Sequence, residues 1–175
     1  MTALLTTGEH PFHVLQRISE WQADGQPCAL VILTATEAGA VRAPGALLAV
    51  SDTTSFGYIS GGCIDADVVL QTRDAMRVGA ARSLRYGAGS PFVDLPLPCG
   101  GAIEVTICPT PDKTFVQELA NRLAKRKPAS VYLSSDGLLA HVRDRPDTLR
   151  FDYQPPIRLR IAGRGADALA LATIS

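Results

Sequence analysis

The chain has 175 residues, which fits one domain, or one domain and a fragment, at roughly 150 residues per domain. Lys plus Arg number 17 and Asp plus Glu number 17, so the formal net charge is zero, without the broad basic excess that grips nucleic acid by displacing counterions. Hydrophobic residues at 46% and charged residues at 19% supply a core and exclude global disorder, and no apolar run reaches the roughly 18 to 20 residues of a membrane span.

The N-terminus, Met1 to His10, has no basic flank before an apolar stretch, so no signal peptide is expected and the cytoplasm is the expected compartment. Segment 11–24 places Val14, Leu15, Ile18 and Trp21 near helical spacing, with Pro11 at a first helical position and Gly25 as a stop. CALVILTAT (28–36) is continuous and β-rich, as in a strand covered on both faces. A glycine-containing loop runs from Glu37 to Gly45, and ALLAVSD (46–52) and FGYIS (56–60) read as strands. The Ser60-Gly61-Gly62-Cys63 loop leads into a helix through about Val78, with Ile64, Val68, Val69 and Met76 apolar. A short strand is expected at 81–86, and the Gly- and Pro-rich stretch 87–101 reads as loop. AIEVTIC (102–108) alternates like a strand, and 112–126 reads as a helix with Phe115, Val116, Leu119 and Leu123 on one side. VYLSS and LLAHV flank Asp136-Gly137, a hairpin signal, and a further strand is expected near Thr148 to Asp152.

Alternating strands and helices make the class α/β or α+β, a mixed sheet with flanking helices. Residues 1–152 are expected to form one domain, with Tyr153-Gln154-Pro155-Pro156 as a linker to 157–175. In that tail a strand followed by Gly163-x-Gly165-x-x-Ala168 has the order of a dinucleotide-binding fingerprint. A βαβ unit takes about 30 residues or more, and an acidic ribose-binding residue belongs about 20 positions on. The tail is therefore expected to be a truncated Rossmann-like βα start, and a working NAD site is not expected.

The four cysteines are Cys28, Cys63, Cys99 and Cys108, with no CxxC pair. Cys28 and Cys108 lie among strand residues and read as buried, inert thiols. Cys63 and Cys99 adjoin paired glycines in mirrored order, Gly61-Gly62-Cys63 and Cys99-Gly100-Gly101. Glycines let backbone approach a ligand, and a loop feeding a helix start offers unpaired N–H donors to an anion. A thiol at a helix start is also the better nucleophile and soft-metal ligand. Plain turn chemistry is the alternative for each loop. His10, His13 and His141 show no metal-ligand spacing, and no G-x-S-x-G elbow is present.

The order of CALVILTAT, VRAPGALLAV, GYISGGCIDADV and LPCGGAIEVTI over residues 28–108 resembles the XdhC/CoxI family of molybdenum-hydroxylase accessory factors. The tail IRLRIAGRGADALALA looks like the opening of that family's second, Rossmann-type domain, so the chain is similar to a short form carrying little of it. Two departures are Asp65, where the family usually has Glu, and Ala166, where it commonly has His.

The resemblance implies a chaperone that binds molybdenum cofactor transiently, assists its sulfuration and passes it to a xanthine dehydrogenase-like molybdenum hydroxylase. A cysteine desulfurase is an implied further partner, and a homo-oligomer a candidate assembly. Gly61, Gly62, Gly100 and Gly101 would present backbone N–H groups to the cofactor, and Arg42 would pair with its phosphate. Cys63 and Cys99 would contact the metal–sulfur end. Ser60 and Asp65 complete the candidate cofactor-binding set, with Asp65 and Asp67 able to orient the loop. The competing readings are a solvated loop residue for Arg42, a helix cap for Ser60 and a solvated first-turn residue for Asp67. No side chain is assigned as a metal ligand. Two other functions stay open: a non-catalytic interaction or oligomerisation module, and an NAD(P)-binding oxidoreductase.

Overall fold

The computed structural model describes residues 10–37, 40–90, 97, 100–142, 146–158, 160–163 and 165–174. Helix α1 spans Pro11–Ala23; the ring of His10 caps it, Nδ1 accepting the Phe12 N–H at 3.1 Å. Val14, Leu15, Ile18 and Trp21 are its buried stripe, as their spacing predicts. Five strands follow with one helix among them. These are β1 (Cys28–Glu37), β2 (Leu47–Ser51), β3 (Ser55–Gly57), α2 (Asp65–Val78), β4 (Arg82–Gly87) and β5 (Ala102–Cys108). They form one sheet in the order β3-β2-β1-β5-β4, and every pairing in it is antiparallel.

Strand β1 is central and apolar on both faces, as its unbroken sequence implies. Side chains alternate across a strand, so Leu30 and Ile32 enter one cluster while Val31 and Leu33 enter another. The first cluster packs against α1 and against α3 (Lys113–Ala124), which presents Phe115, Val116, Leu119 and Leu123. Asp112 caps α3, its carboxylate accepting the Phe115 N–H at 2.7 Å. The same cluster takes in β6 (Ala129–Leu133) and β8 (Leu149–Tyr153), which with β7 (Leu139–Ala140) form a small antiparallel sheet ordered β7-β6-β8. The second cluster packs against α2 and the loop before it, through Ile59, Ile64, Val68 and Ala75.

Several boundaries differ from the sequence reading, each for a local reason. FGYIS does not continue as a strand beyond Gly57, because the Asp65 carboxylate takes the N–H groups of Ile59 and Ser60. On α2 the buried stripe is Val68, Thr72 and Ala75, with Met76 only half-buried; Thr72 is admitted because its hydroxyl donates to Val68 O at 2.6 Å. The Asp136-Gly137 hairpin forms, but over five connecting residues, closed by Gly137 N–H to Ser134 O and Ser134 N–H to Leu138 O, both 3.0 Å. Among the described residues of 157–165 no strand forms. The helix expected after them is α4 (Ala166–Ile174). No described helix is long and apolar enough to cross a membrane.

Candidate functional site

Strand register brings separate loops to one end of the five-stranded sheet. Glu37 at the end of β1 pairs with Ala102 at the start of β5, and Ala102 pairs with Gly87 at the end of β4. Gly57 at the end of β3 pairs with Leu48 near the start of β2. Residues 38–46, 58–64 and 88–101 therefore all connect elements at this end. These are the segments that carry Arg42, the Ser60–Cys63 motif and the Cys99–Gly101 motif.

Asp65, the first residue of α2, organises the second of these loops. Its Oδ1 accepts the Ile59 N–H at 2.6 Å, and its Oδ2 accepts the N–H groups of Ser60 at 3.2 Å and Gly62 at 2.7 Å. The Ser60 hydroxyl also donates to Oδ2 and accepts the Ile64 N–H at 3.1 Å. Burial alone would push the Asp65 carboxyl up, but the donors from Ile59, Ser60 and Gly62 outweigh it and hold it below its ordinary range. Ser60 thus does not cap α2, whose N-cap residue is Ile64; it braces the turn before the helix, and Asp65 orients the loop. The backbone reverses at Gly61 (φ +80°) and Gly62 (φ +115°), conformations that L side chains rarely adopt.

The result is a presented tip. Gly61, Gly62 and Cys63 are exposed while Ile59, Ser60 and Ile64 on either side are buried. No described residue accepts the N–H of Gly61 or Cys63. Cys28 and Cys108 are buried, and burial pushes their thiols up to about 11 and about 12, which keeps them protonated and inert.

The Arg42 loop lies against this tip. The Arg42 guanidinium sits over the Tyr58 ring, 4.5 Å from its centroid, and Arg42 is half-buried rather than solvated. The Val41 side chain lies where a Cβ on Gly61 would touch it at 3.6 Å. The Arg42 loop thus lies beside Gly61 through Val41 and beside Tyr58 through Arg42.

The third loop is tied to the other two through the end of β4. Tyr86 is fully buried and its hydroxyl donates to Asp67 Oδ2 at 2.6 Å, so Asp67 is a structural acceptor and not the solvated residue expected. Burial first, and then Asp67, hold the Tyr86 phenol well above its ordinary value. Next to it, a Cβ on Gly87 would lie 2.1 Å from the Gly101 carbonyl oxygen, so only glycine lets this loop reach the sheet. Gly101 is buried and Gly100 is exposed with φ +71°. Cys99 lies outside the described residues. Tyr86 and Gly87 belong to no motif that the sequence reading singled out; their roles follow from register.

The XdhC and CoxI family matches this chain over residues 21–87. A molybdenum cofactor insertion chaperone, PaoD of Escherichia coli (strain K12), is 31% identical over 170 residues, covering 93% of this chain and 54% of that protein. The chain thus spans about half the length of this curated relative. A solved structure titled a xanthine dehydrogenase from Bacillus halodurans shares the fold with a TM-score of 0.63 at 18% identity, covering 81% of this chain and 53% of that one.

Proposed function

Residues 21–87 being an XdhC and CoxI family segment, we propose that the chain is a carrier that receives molybdenum cofactor and passes it to a xanthine dehydrogenase-like molybdenum hydroxylase. The carrying observation is the exposed Gly61-Gly62-Cys63 tip, braced by Asp65 and flanked by Arg42. It offers the kinds of group the cargo needs. The N–H groups of Gly61 and Cys63 supply donors to its oxygens, and the guanidinium matches a phosphate bidentately. The Cys63 thiol suits the soft metal–sulfur end. Gly100 and Gly101 bring a second loop to the same sheet end, and Cys99 is proposed as the second thiol. Ser60 and Asp65 act by shaping the tip, so their side chains position rather than hold the cargo.

The proposal extends to sulfuration, with a cysteine desulfurase as sulfur donor, and to a cytoplasmic homo-oligomer. The test is to incubate the protein with molybdenum cofactor, remove free ligand by gel filtration, and assay the protein peak for molybdenum and for fluorescent oxidised pterin. Both in near-equal amount with protein are expected, and Cys63→Ala and Cys99→Ala are expected to lower molybdenum retention while circular dichroism stays native. Retention unchanged in both variants would remove the thiols from the site.

A second reading, an interaction module, is favoured by α4. Leu169 and Leu171 are exposed on a helix built almost wholly of apolar residues, and such a helix ordinarily lies buried against another surface. Deleting residues 157–175 with no change in oligomeric state or solubility would remove that support.

A further inference from the structure

Helix α3 ends in an unfavourable backbone conformation. Lys125 is its C-cap, and the next two residues close it: the Arg126 N–H donates to Leu123 O and the Lys127 N–H to Arg122 O, both at 3.0 Å. This closure requires a left-handed residue at Arg126, the position that glycine ordinarily fills. Arg126 has φ +64°, and among the described residues it is the one non-glycine residue with a positive φ. A Cβ disfavours that conformation, so an arginine there calls for an offsetting role of its side chain. The role lies 30 residues on, where the guanidinium Nη1 donates to the carbonyl oxygen of Pro156.

Strand register sets the partner. In the antiparallel pair of β6 and β8, Ser130 lies opposite Asp152 and Ala129 opposite Tyr153. Continued past Ala129 and Tyr153, the same register puts Arg126 opposite Pro156. Backbone bonds cannot carry the ladder that far. Pro128, Pro155 and Pro156 have no N–H, and the N–H groups of Arg126 and Lys127 are spent on α3. The Arg126 side chain supplies the missing donor. The turn that carries it is pinned as well, Arg122 Nε donating to Pro128 O at 2.7 Å. Pro155 and Pro156 are half-buried, whereas Ile157 is 95% exposed, so the chain leaves the domain directly after this contact.

We infer that Arg126 is a clamp on the linker that fixes where, and in which direction, residues 157–175 leave the domain. Two consecutive prolines make the linker stiff along its own length, but they leave it free to swing as a unit about Gln154. One hydrogen bond at the far end of the stiff piece removes that swing. The free length of the tail then begins at Ile157 and not at Gln154. A shorter tether confines α4, with its exposed Leu169 and Leu171, to a smaller volume beside the domain and raises its effective concentration for a surface there. The clamp goes beyond the carrier function and does not depend on it.

The experiment uses the full chain labelled with nitrogen-15 and reads the backbone order parameter of Ile157, the first amide beyond the prolines, beside thermal melts. Arg126→Gly and Arg126→Asn both accept a left-handed backbone, and neither side chain can span the gap to Pro156. In the parent the Ile157 amide is expected near the rigid-backbone value of about 0.85, and in both variants below about 0.6, with the amides of α3 and β6 unchanged. The melting temperature of Arg126→Gly is expected to be no lower than that of the parent, because release of the left-handed arginine offsets the lost bond. An Ile157 order parameter that stays at the parent value in both variants overturns the clamp. So does a parent in which Ile157 already lies below about 0.6. An Arg126→Gly protein that melts lower while Ile157 stays ordered makes Arg126 a residue of the α3 cap alone.

Discussion

Removing the Asp65 carboxylate tests whether one side chain sets the shape of the thiol loop. In Asp65→Ala the N–H groups of Ile59 and Ser60, at 1% and 9% exposure, lose their acceptor where water has little access. A buried donor left unpaired costs about 1–3 kcal/mol. Gly62 is exposed and turns to water, so its loss adds little. Two such donors give a destabilisation of about 2–6 kcal/mol, which for a chain of this length lowers the melting temperature by about 4–24 °C. Asp65→Asn restores an acceptor for Ile59 but aims an amide nitrogen at Ser60 and Gly62, so it recovers about half. Because the folded carboxyl titrates below its ordinary range, its stabilisation is complete above the unfolded value of about 3.9 and fades as pH falls through the folded one. The parent therefore loses this share of its stability below about pH 4, and Asp65→Asn, with nothing there to protonate, shows a flatter profile. The assays are thermal melts against pH and amide exchange at Ile59 and Ser60. An Asp65→Ala protein that melts within about 2 °C of the parent, with both amides still protected, refutes the brace.

The cysteines predict a graded labelling pattern in a Cys99→Ser background: Cys63 reacts with a disulfide reagent in the native state at pH 7.5, whereas Cys28 and Cys108 react only on unfolding. Fast native labelling of either buried thiol would contradict their burial. Tyr86→Phe removes the donor to Asp67 and is expected to cost about 1–2 kcal/mol in urea unfolding, and a neutral result would show that the bond to the first turn of α2 contributes nothing. Gly87→Ala places a methyl group 2.1 Å from the Gly101 oxygen in a positive-φ conformation, so about 3 kcal/mol or more of destabilisation is expected; parent-like stability with an unshifted Gly101 amide resonance would contradict the close approach.

Much of the local structure was legible because it depends on neighbours in sequence. The stripe Val14, Leu15, Ile18, Trp21 and the alternation in 102–108 report helix and strand periods directly. The apolar run 28–36 announced a central strand, though its partners turned out antiparallel on both sides. The paired glycines beside Cys63 and the polar loop that carries Arg42 were legible as breaks between elements. What stayed hidden were contacts made across the fold. The end of FGYIS depends on a carboxylate five to six residues on, Asp67 on a tyrosine 19 residues away, and the need for Gly87 on a carbonyl in another loop.

The sequence by itself determined where helices and strands form and where glycine-bearing loops interrupt them, because propensity, periodicity and turn chemistry act over a few residues. Only the tertiary structure decided that Arg42, the Gly61–Cys63 tip and Gly100–Gly101 share one end of a sheet. Antiparallel register aligns the ends of strands that are distant in the chain, and no local pattern records that alignment.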